Sequence, residues 1–354
     1  MAIRELISDR KYGILNRIWP HMPRSDFDTY VDLYDRYFLF LEEQISLIER
    51  KSILYSAKSI EGLASVIDEI RQHAYKKKSE LFTNSSDETM RSADMAIRIW
   101  LMIHIEHSTS GSVSSYRWPK TMSLSLLVQD WYPSGRKPDA EARQISQSFS
   151  IANLTRYGGF QAKWTSDLTQ HLSVDLEYKQ ITIFEHAIAL RNHLAYPDDC
   201  PLPKEFVQEA VDTIKLLFPD DKDTKAFLSR EGRKFLKIPF SRERSLSLGD
   251  FSHWETEMSQ LLDVWEQGPS GWSQLRLRPD RSNFLEYSTF WAAAVVLLLT
   301  VISIVFGVAG LVLAKKALDV SVKSLYVSVK SYELSLAIAC AEANATDTLP
   351  YFCK

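Results

Sequence analysis

Apolar positions recur every three or four residues over most of the first 286 residues, a period that predicts a mainly α fold. A capping-box-like Ser25-Asp-Phe-Asp28 precedes Phe27, Tyr30, Tyr34, Tyr37, Phe38, Leu41, Ile45 and Ile48, which mark a long helix. Leu63, Ile67, Ile70 and Ala74 mark a second near 60–77. A third runs near 87–106 and includes the apolar stretch MAIRIWLMIHI (95–105). That stretch is too short for a bilayer and carries Arg98 and His104, so it reads as a buried helix. Polar STSGSVSSY (108–116) and PSGRKPDA (133–140) interrupt the pattern, with a short helix over 118–131 between them. A helix over 141–156 is expected to end at Gly158-Gly159 in a left-handed cap. Residues 160–165 and 176–184 read as short strands and predict a small β-hairpin. Helices near 184–194, 204–218 and 251–266 complete one helical domain over 1–272, with a juxtamembrane linker over 273–286.

The period disappears at Tyr287. From there to Ala314 the text YSTFWAAAVVLLLTVISIVFGVAGLVLA holds no charge and is long enough to cross a hydrocarbon core of about 30 Å. Tyr287, Phe290 and Trp291 sit at one end, at the headgroup level aromatic rings favour. Lys315 and Lys316 close the other end and can snorkel. Ser303/Gly307 and Gly310/Ala314 are small-xxx-small pairs, which let helix backbones approach. The tail, 315–354, is expected to form a short helix. It contains the near-repeat SVKSLYV–SVKSYEL, in which Leu318, Val322, Leu325, Val329, Tyr332 and Leu336 follow coiled-coil spacing. Weak self-association through span and tail is therefore expected, alongside the lipid bilayer itself as a partner.

Composition alone hides this division. The chain has 354 residues, 45% apolar and 25% charged, with a net charge of −3 and a mean hydropathy of −0.18. Those values exclude a disordered chain, and three cysteines exclude a disulfide scaffold. Near-neutral charge argues against nucleic acid as a partner. The start, MAIRELISDRKYG, has no apolar signal-peptide core. The span then acts as the export signal, which predicts 1–286 in the cytosol and the tail in a lumen or outside the cell. Flanking charges are nearly balanced, three arginines before the span against four lysines after it. On the far side Cys340 and Cys353 can pair, and Asn344-Ala-Thr346 is a glycosylation sequon, whereas Asn84 and Asn153 are expected to stay unmodified.

Catalytic motifs are scarce. The sequence has no phosphate-binding glycine loop and no nucleophile elbow. Asp220-Asp-Lys-Asp223 lacks the glycine and terminal carboxylate of a calcium loop. His104 and His107 are one helical turn apart with no further zinc ligand nearby. Arg191 and His193 are too close in sequence to share a helix face. No cofactor or metal is expected. The least neutral stretch, KAFLSREGRKFLKIPFSRER (225–244), interleaves cations with aromatic rings and makes Arg233, Lys234 and Lys237 candidates for contact with an anionic leaflet.

RIWLMIHIEH with SYRWPKTMSLSLLVQDWYP, then FQAKWTSDLTQHLSVDLEYKQITIFEHAIAL, then DRSNFLEYSTFWAAAVVLLLTVISIVFGVAGLVLA and a late LPYFC resemble a family of uncharacterised, mostly fungal, single-pass membrane proteins. The resemblance implies architecture and source, and a structural unit around Trp164 and His171. It implies no activity. The reading is a membrane-anchored, non-enzymatic module for a protein or lipid partner. The alternative is an enzyme whose site assembles from distant residues such as His104, His171, His186 and Arg191.

Overall fold

The computed structural model describes residues 8–83, 86–105, 116–133, 143–233, 243–267, 284–341 and 351. It divides into two compact units between Asn283 and Phe284. Among the described residues there are twelve α-helices and one three-stranded sheet, a mainly α fold with one long apolar C-terminal helix.

The first unit opens with α1 (Ser8–Ile18), which the apolar period did not mark, and α2 (Arg24–Arg50). α2 starts one residue before Ser25, with Pro23 at its cap position, so Ser25 does not cap it. Instead the Ser25 carbonyl accepts from Thr29 Oγ1. The expected stripe is buried from Phe27 to Ile48 except at Tyr30, where the helix kinks, and Ile45, both half-buried. α3 (Ile60–Gln72) is capped by the Ser59 hydroxyl, which accepts from Gly62 N at 3.2 Å. It stops short of residue 77, and α4 (Lys78–Leu81) follows. α5 (Asp87–Trp100) packs on α3. It ends earlier than expected because Met102 adopts φ 58°, which no α-helix accommodates. MAIRIWLMIHI is thus half helix and half extended chain, with Ile97 and Ile103 both fully buried. α6 (Leu124–Trp131) is capped by Ser123.

No helix forms over 143–150. Here Ile145 N donates to Leu246 O at 2.7 Å and Leu248 N to Arg143 O at 2.9 Å. The serines of this stretch bond locally, with Ser148 N donating to Ser146 Oγ, which competes with helix hydrogen bonds. Helix begins only at α7 (Ile151–Asn153), widens into a π turn over 154–158, and ends at Gly159. Gly159 has φ 76°, the left-handed cap the sequence suggested.

The expected hairpin is rearranged. β1 (Gln161–Thr165) and β3 (Gln180–Phe184) are paired in parallel, from Gln161 opposite Gln180 to Thr165 opposite Phe184. β2 (Val174–Asp175) pairs antiparallel with β3, and the order is β1-β3-β2. Parallel neighbours need a crossover, which the segment after Thr165 supplies. The tight turn lies between β2 and β3, where Lys179 takes φ 50°. α8 (Ala187–Ala195) and α9 (Lys204–Leu217) pack together. α10 (Lys222–Arg230) is capped by Asp221, which accepts from Thr224 N at 2.7 Å. α11 (Glu255–Gln267) ends the described part of this unit.

The second unit is α12 (Phe284–Cys340), 57 residues without a break. The expected span and the expected short tail helix are one element. It is long and apolar enough to cross a membrane, and none of its apolar window is buried by the chain.

Candidate functional site

A cavity of about 270 Å³ is lined by Asp32, Leu33, Asp35, Arg36 and Leu39 of α2, by Glu185 after β3, and by Gly232 and Arg233 after α10. The α2 residues share one face because their spacing follows the helical repeat. Gly232 adopts φ 63°, which turns the chain back so that its carbonyl accepts from Arg36 Nη2 at 2.9 Å. Arg233 pairs with Glu185 and lies over the Trp164 ring, 4.9 Å from its centroid. The Trp164 indole in turn stacks on Phe218.

His186 adjoins this cavity from the core side. It is 2% exposed and enclosed by the rings of Tyr37, Phe40 and Phe184. Neither ring nitrogen has a hydrogen-bond partner, and Nε2 lies 3.9 Å from Glu185 Oε1. Burial, with smaller contributions from Arg233 and Arg36, lowers its pKa to about 3. A neutral imidazole of that kind neither pairs with Glu185 nor delivers a proton near neutral pH. The cavity's lining offers three carboxylates, Asp32, Asp35 and Glu185, against Arg36 and Arg233, and no Ser, Thr, Cys or Tyr nucleophile.

A second polar cluster joins the sheet to α9 and α11. Phe184 N donates to His171 Nδ1 at 3.2 Å, so the His171 proton sits on Nε2, 2.7 Å from Thr213 Oγ1. Thr213 Oγ1 donates onward to Ala210 O, and Trp254 Nε1 donates to His171 O at 3.0 Å. Burial lowers the His171 pKa to about 3. Nearby, Glu209 accepts from His253 N at 2.6 Å, Trp254 N at 3.1 Å and Ser252 Oγ at 3.1 Å. Its carboxylate thereby caps the entry to α11, while burial raises its pKa to about 7. Every group in this cluster is engaged in holding the fold.

No protein-family model, curated protein or solved structure matches the chain.

The distant residues considered for an enzyme take separate tasks. His171 bonds Thr213, His186 is enclosed by aromatic rings, and Arg191 pairs with Asp26 at 2.8 Å over the Tyr30 ring. His104 receives the Asp167 side chain at its own backbone N–H. His193 bonds the Trp100 carbonyl at 3.0 Å, and Cys200 is a buried thiol pushed up to about 12 by burial.

The basic stretch needs correction. Arg233 is turned inward to Glu185 and Trp164 and does not face a leaflet. Arg244 donates to the carbonyls of Leu216, Gln147 and Phe149, and Lys225 pairs with Asp220 at 2.6 Å. Phe227 and Leu228 anchor the stretch in the core and Arg233 and Arg244 turn inward, while Lys225 and Arg230 stay exposed. Lys234 and Lys237 lie outside the described residues, as do Asn84, Asn344 and Cys353. Asn153 is buried, with Nδ2 bonded to Ser148 O at 2.7 Å, which bars glycosylation in the folded domain. Cys340 is disulfide-bonded. The residues of the span, Tyr287, Phe290, Trp291, Ser303, Gly307, Gly310 and Ala314, all lie on α12. Among the described residues no group of His, Cys, Asp or Glu is arranged to hold a metal ion.

Proposed function

We propose that this chain is a membrane-anchored helical interaction module. α12 crosses a bilayer once, over Tyr287–Ala314, and tethers the helical domain for contact with a protein or lipid partner. The observation that carries the reading is the contrast in burial: α12 keeps its whole apolar window uncovered, whereas the domain closes its apolar side chains into one core. An uncovered helix of this length needs a medium as apolar as itself. A binding rather than catalytic role is supported by the three buried histidines, His171, His186 and His193, whose pKa values of about 3, 3 and 4 keep them neutral and unreactive as acids near pH 7.

We further propose that the domain lies in the cytosol and that the tail beyond Ala314 lies in an oxidising compartment. The disulfide at Cys340 supports that side.

The test is extraction of membranes with alkaline carbonate, followed by protease treatment of sealed vesicles carrying the full chain tagged at each end. Retention in the pellet with loss of the N-terminal tag and protection of the C-terminal tag is expected. Release by carbonate overturns the anchor, and the reverse protection pattern overturns the orientation.

A further inference from the structure

We propose that the cavity between α2, the end of β3 and the end of α10 binds a free α-amino acid with an apolar side chain. The ligand's carboxylate meets Arg36 and Arg233, its ammonium meets Asp35, and its side chain meets Leu33 and Leu39. The proposal goes beyond the membrane reading and does not depend on it.

The first observation is a pair of opposite charges that do not neutralise each other. Asp35 and Arg36 are neighbours on α2, and both line the cavity. Successive residues on a helix point about 100° apart, so the two side chains diverge. Among the described residues neither is in an ion pair, and Arg36 donates instead to the neutral Gly232 carbonyl. Elsewhere in the domain partly exposed arginines find carboxylates: Arg24 holds Asp9 and Asp28, and Arg143 holds Asp263 and Glu266. An α-amino acid carries its ammonium and its carboxylate on one carbon. Adjacent residues, with Cα atoms about 3.8 Å apart, present unlike charges at a similarly close spacing.

The second observation is the wall opposite. Arg233 pairs with Glu185, yet its Nε is buried without a hydrogen-bond partner. Burial lowers the Arg233 pKa, Glu185 works against that, and Arg36 lowers it further. Arg36 and Arg233 therefore repel each other across the cavity. A carboxylate between them relieves the repulsion and suits the planar fork of each guanidinium. His186, directly behind Glu185, is 2% exposed and also has both ring nitrogens without a partner. Buried polar groups left unbonded are rare in folded proteins, and they mark places where water or a ligand completes the bonding. Here two of them adjoin one cavity.

The lining disfavours simpler ligands. Asp32, Asp35 and Glu185 oppose a plain anion, and Arg36 and Arg233 oppose a plain cation. A zwitterion meets both signs. The volume of about 270 Å³ falls just below the range of about 300–1,000 Å³ that holds drug-sized ligands, so it suits one small molecule. Leu33 and Leu39 stand one helical turn to either side of Arg36 and are both half-buried. They give the site an apolar wall next to the charges, which selects an apolar side chain.

The experiment is isothermal titration of the full chain in a non-ionic detergent with four probes: leucine, serine, leucinamide and isocaproate. Leucinamide lacks the carboxylate, isocaproate the ammonium, and serine the apolar side chain. Saturable binding of leucine is expected, with leucinamide and isocaproate each weaker by about tenfold or more and serine weaker as well. No saturable binding of leucine overturns the proposal, as does any of the other three binding as tightly as leucine. Asp35→Asn is expected to weaken leucine by about tenfold and leave isocaproate unchanged, and Arg36→Gln to weaken leucine equally and leave leucinamide unchanged. Uniform weakening of all probes by either variant overturns the assignment of the two charges. Thermal melting of each unliganded variant is expected to match that of the unmodified chain. The ranking of the four probes on the unmodified chain decides the proposal even where a variant fails to fold. Carbonate release of the chain from membranes is a separate failure, that of the anchor.

Discussion

The domain and α12 use the same apolar residue types to opposite ends. In the domain Phe38, Leu41 and Trp100 are at most 1% exposed, and several buried charged groups are held by specific partners. Lys78 and Asp94 pair at 2.5 Å with side chains only 4% and 6% exposed, and Lys78 also lies over the Trp118 ring. Arg244 holds three carbonyls and Glu209 caps a helix. In α12 the hydroxyls of Ser303, Ser321, Ser328 and Ser335 are satisfied by their own helix, and the apolar window is buried by nothing in the chain. Covering apolar surface is solved internally in one region and left to the surroundings in the other. The stability of the first therefore belongs to the sequence, and that of the second to its medium and neighbours.

This contrast can be broken most forcefully at the buried ion pair. Asp94→Ala leaves the Lys78 ammonium buried and unpaired, and should lower unfolding stability by about 3–5 kcal/mol. Replacing both residues by leucine should recover most of that loss in denaturant titrations of the full chain in detergent. Next, Leu41→Ala in the domain should cost about 2–5 kcal/mol. Leu313→Ala in α12 should leave the domain's melting unchanged, and a comparable loss there would collapse the distinction.

A smaller effect concerns acid. His171, His186 and His193 have folded-state pKa values depressed from 6.5 to about 3, 3 and 4. Their contribution is complete above pH 6.5 and is lost as pH falls towards 4 and below, at about 1.4 kcal/mol per pH unit per histidine. Glu209 has the opposite sign. Its pKa is raised from 4.5 to about 7, so its contribution is present below 4.5 and is lost as pH rises through 7. Glu209→Gln should therefore steepen acid destabilisation between pH 4.5 and 6.5 by about 1.4 kcal/mol per unit, read from stability measured across that range. Smallest of all, Ser321→Ala should shift helix content or melting by no more than about 0.5 kcal/mol, because its hydroxyl only bonds back along its own helix.

Periodicity carried the long helices because burial of Phe27, Tyr34 and Tyr37, or of Leu63 and Ile67, repeats at the helical interval. It failed where local hydrogen bonding or backbone sterics outweighed it. Ser146 and Ser150 redirect the chain before Ile151, and Met102 leaves the helix through a left-handed conformation that a methionine does not announce. The parallel pairing of β1 and β3 depends on a crossover whose path is a tertiary matter. Of the site, Trp164 and His171 were expected in one structural unit, whereas Trp164 stacks on Phe218 under Arg233 and His171 bonds Thr213. The inward turn of Arg233 was not legible, since its partner Glu185 is 48 residues away in sequence. The apolar part of α12 was legible from Tyr287 to Ala314 as an uncharged run. Its continuation through the tail as one helix was not, because Lys315 and Lys316 end the apolar run without ending the helix.

α12 holds no proline and no interruption across 57 residues, a length of about 85 Å. Such an element behaves mechanically as a shaft. A few degrees of tilt at Tyr287 become a displacement of several ångströms at Cys340, and an axial twist applied at one end arrives at the other with little loss. A bilayer that changes thickness would thus be felt far beyond its own surface, as leverage on whatever the distal end touches.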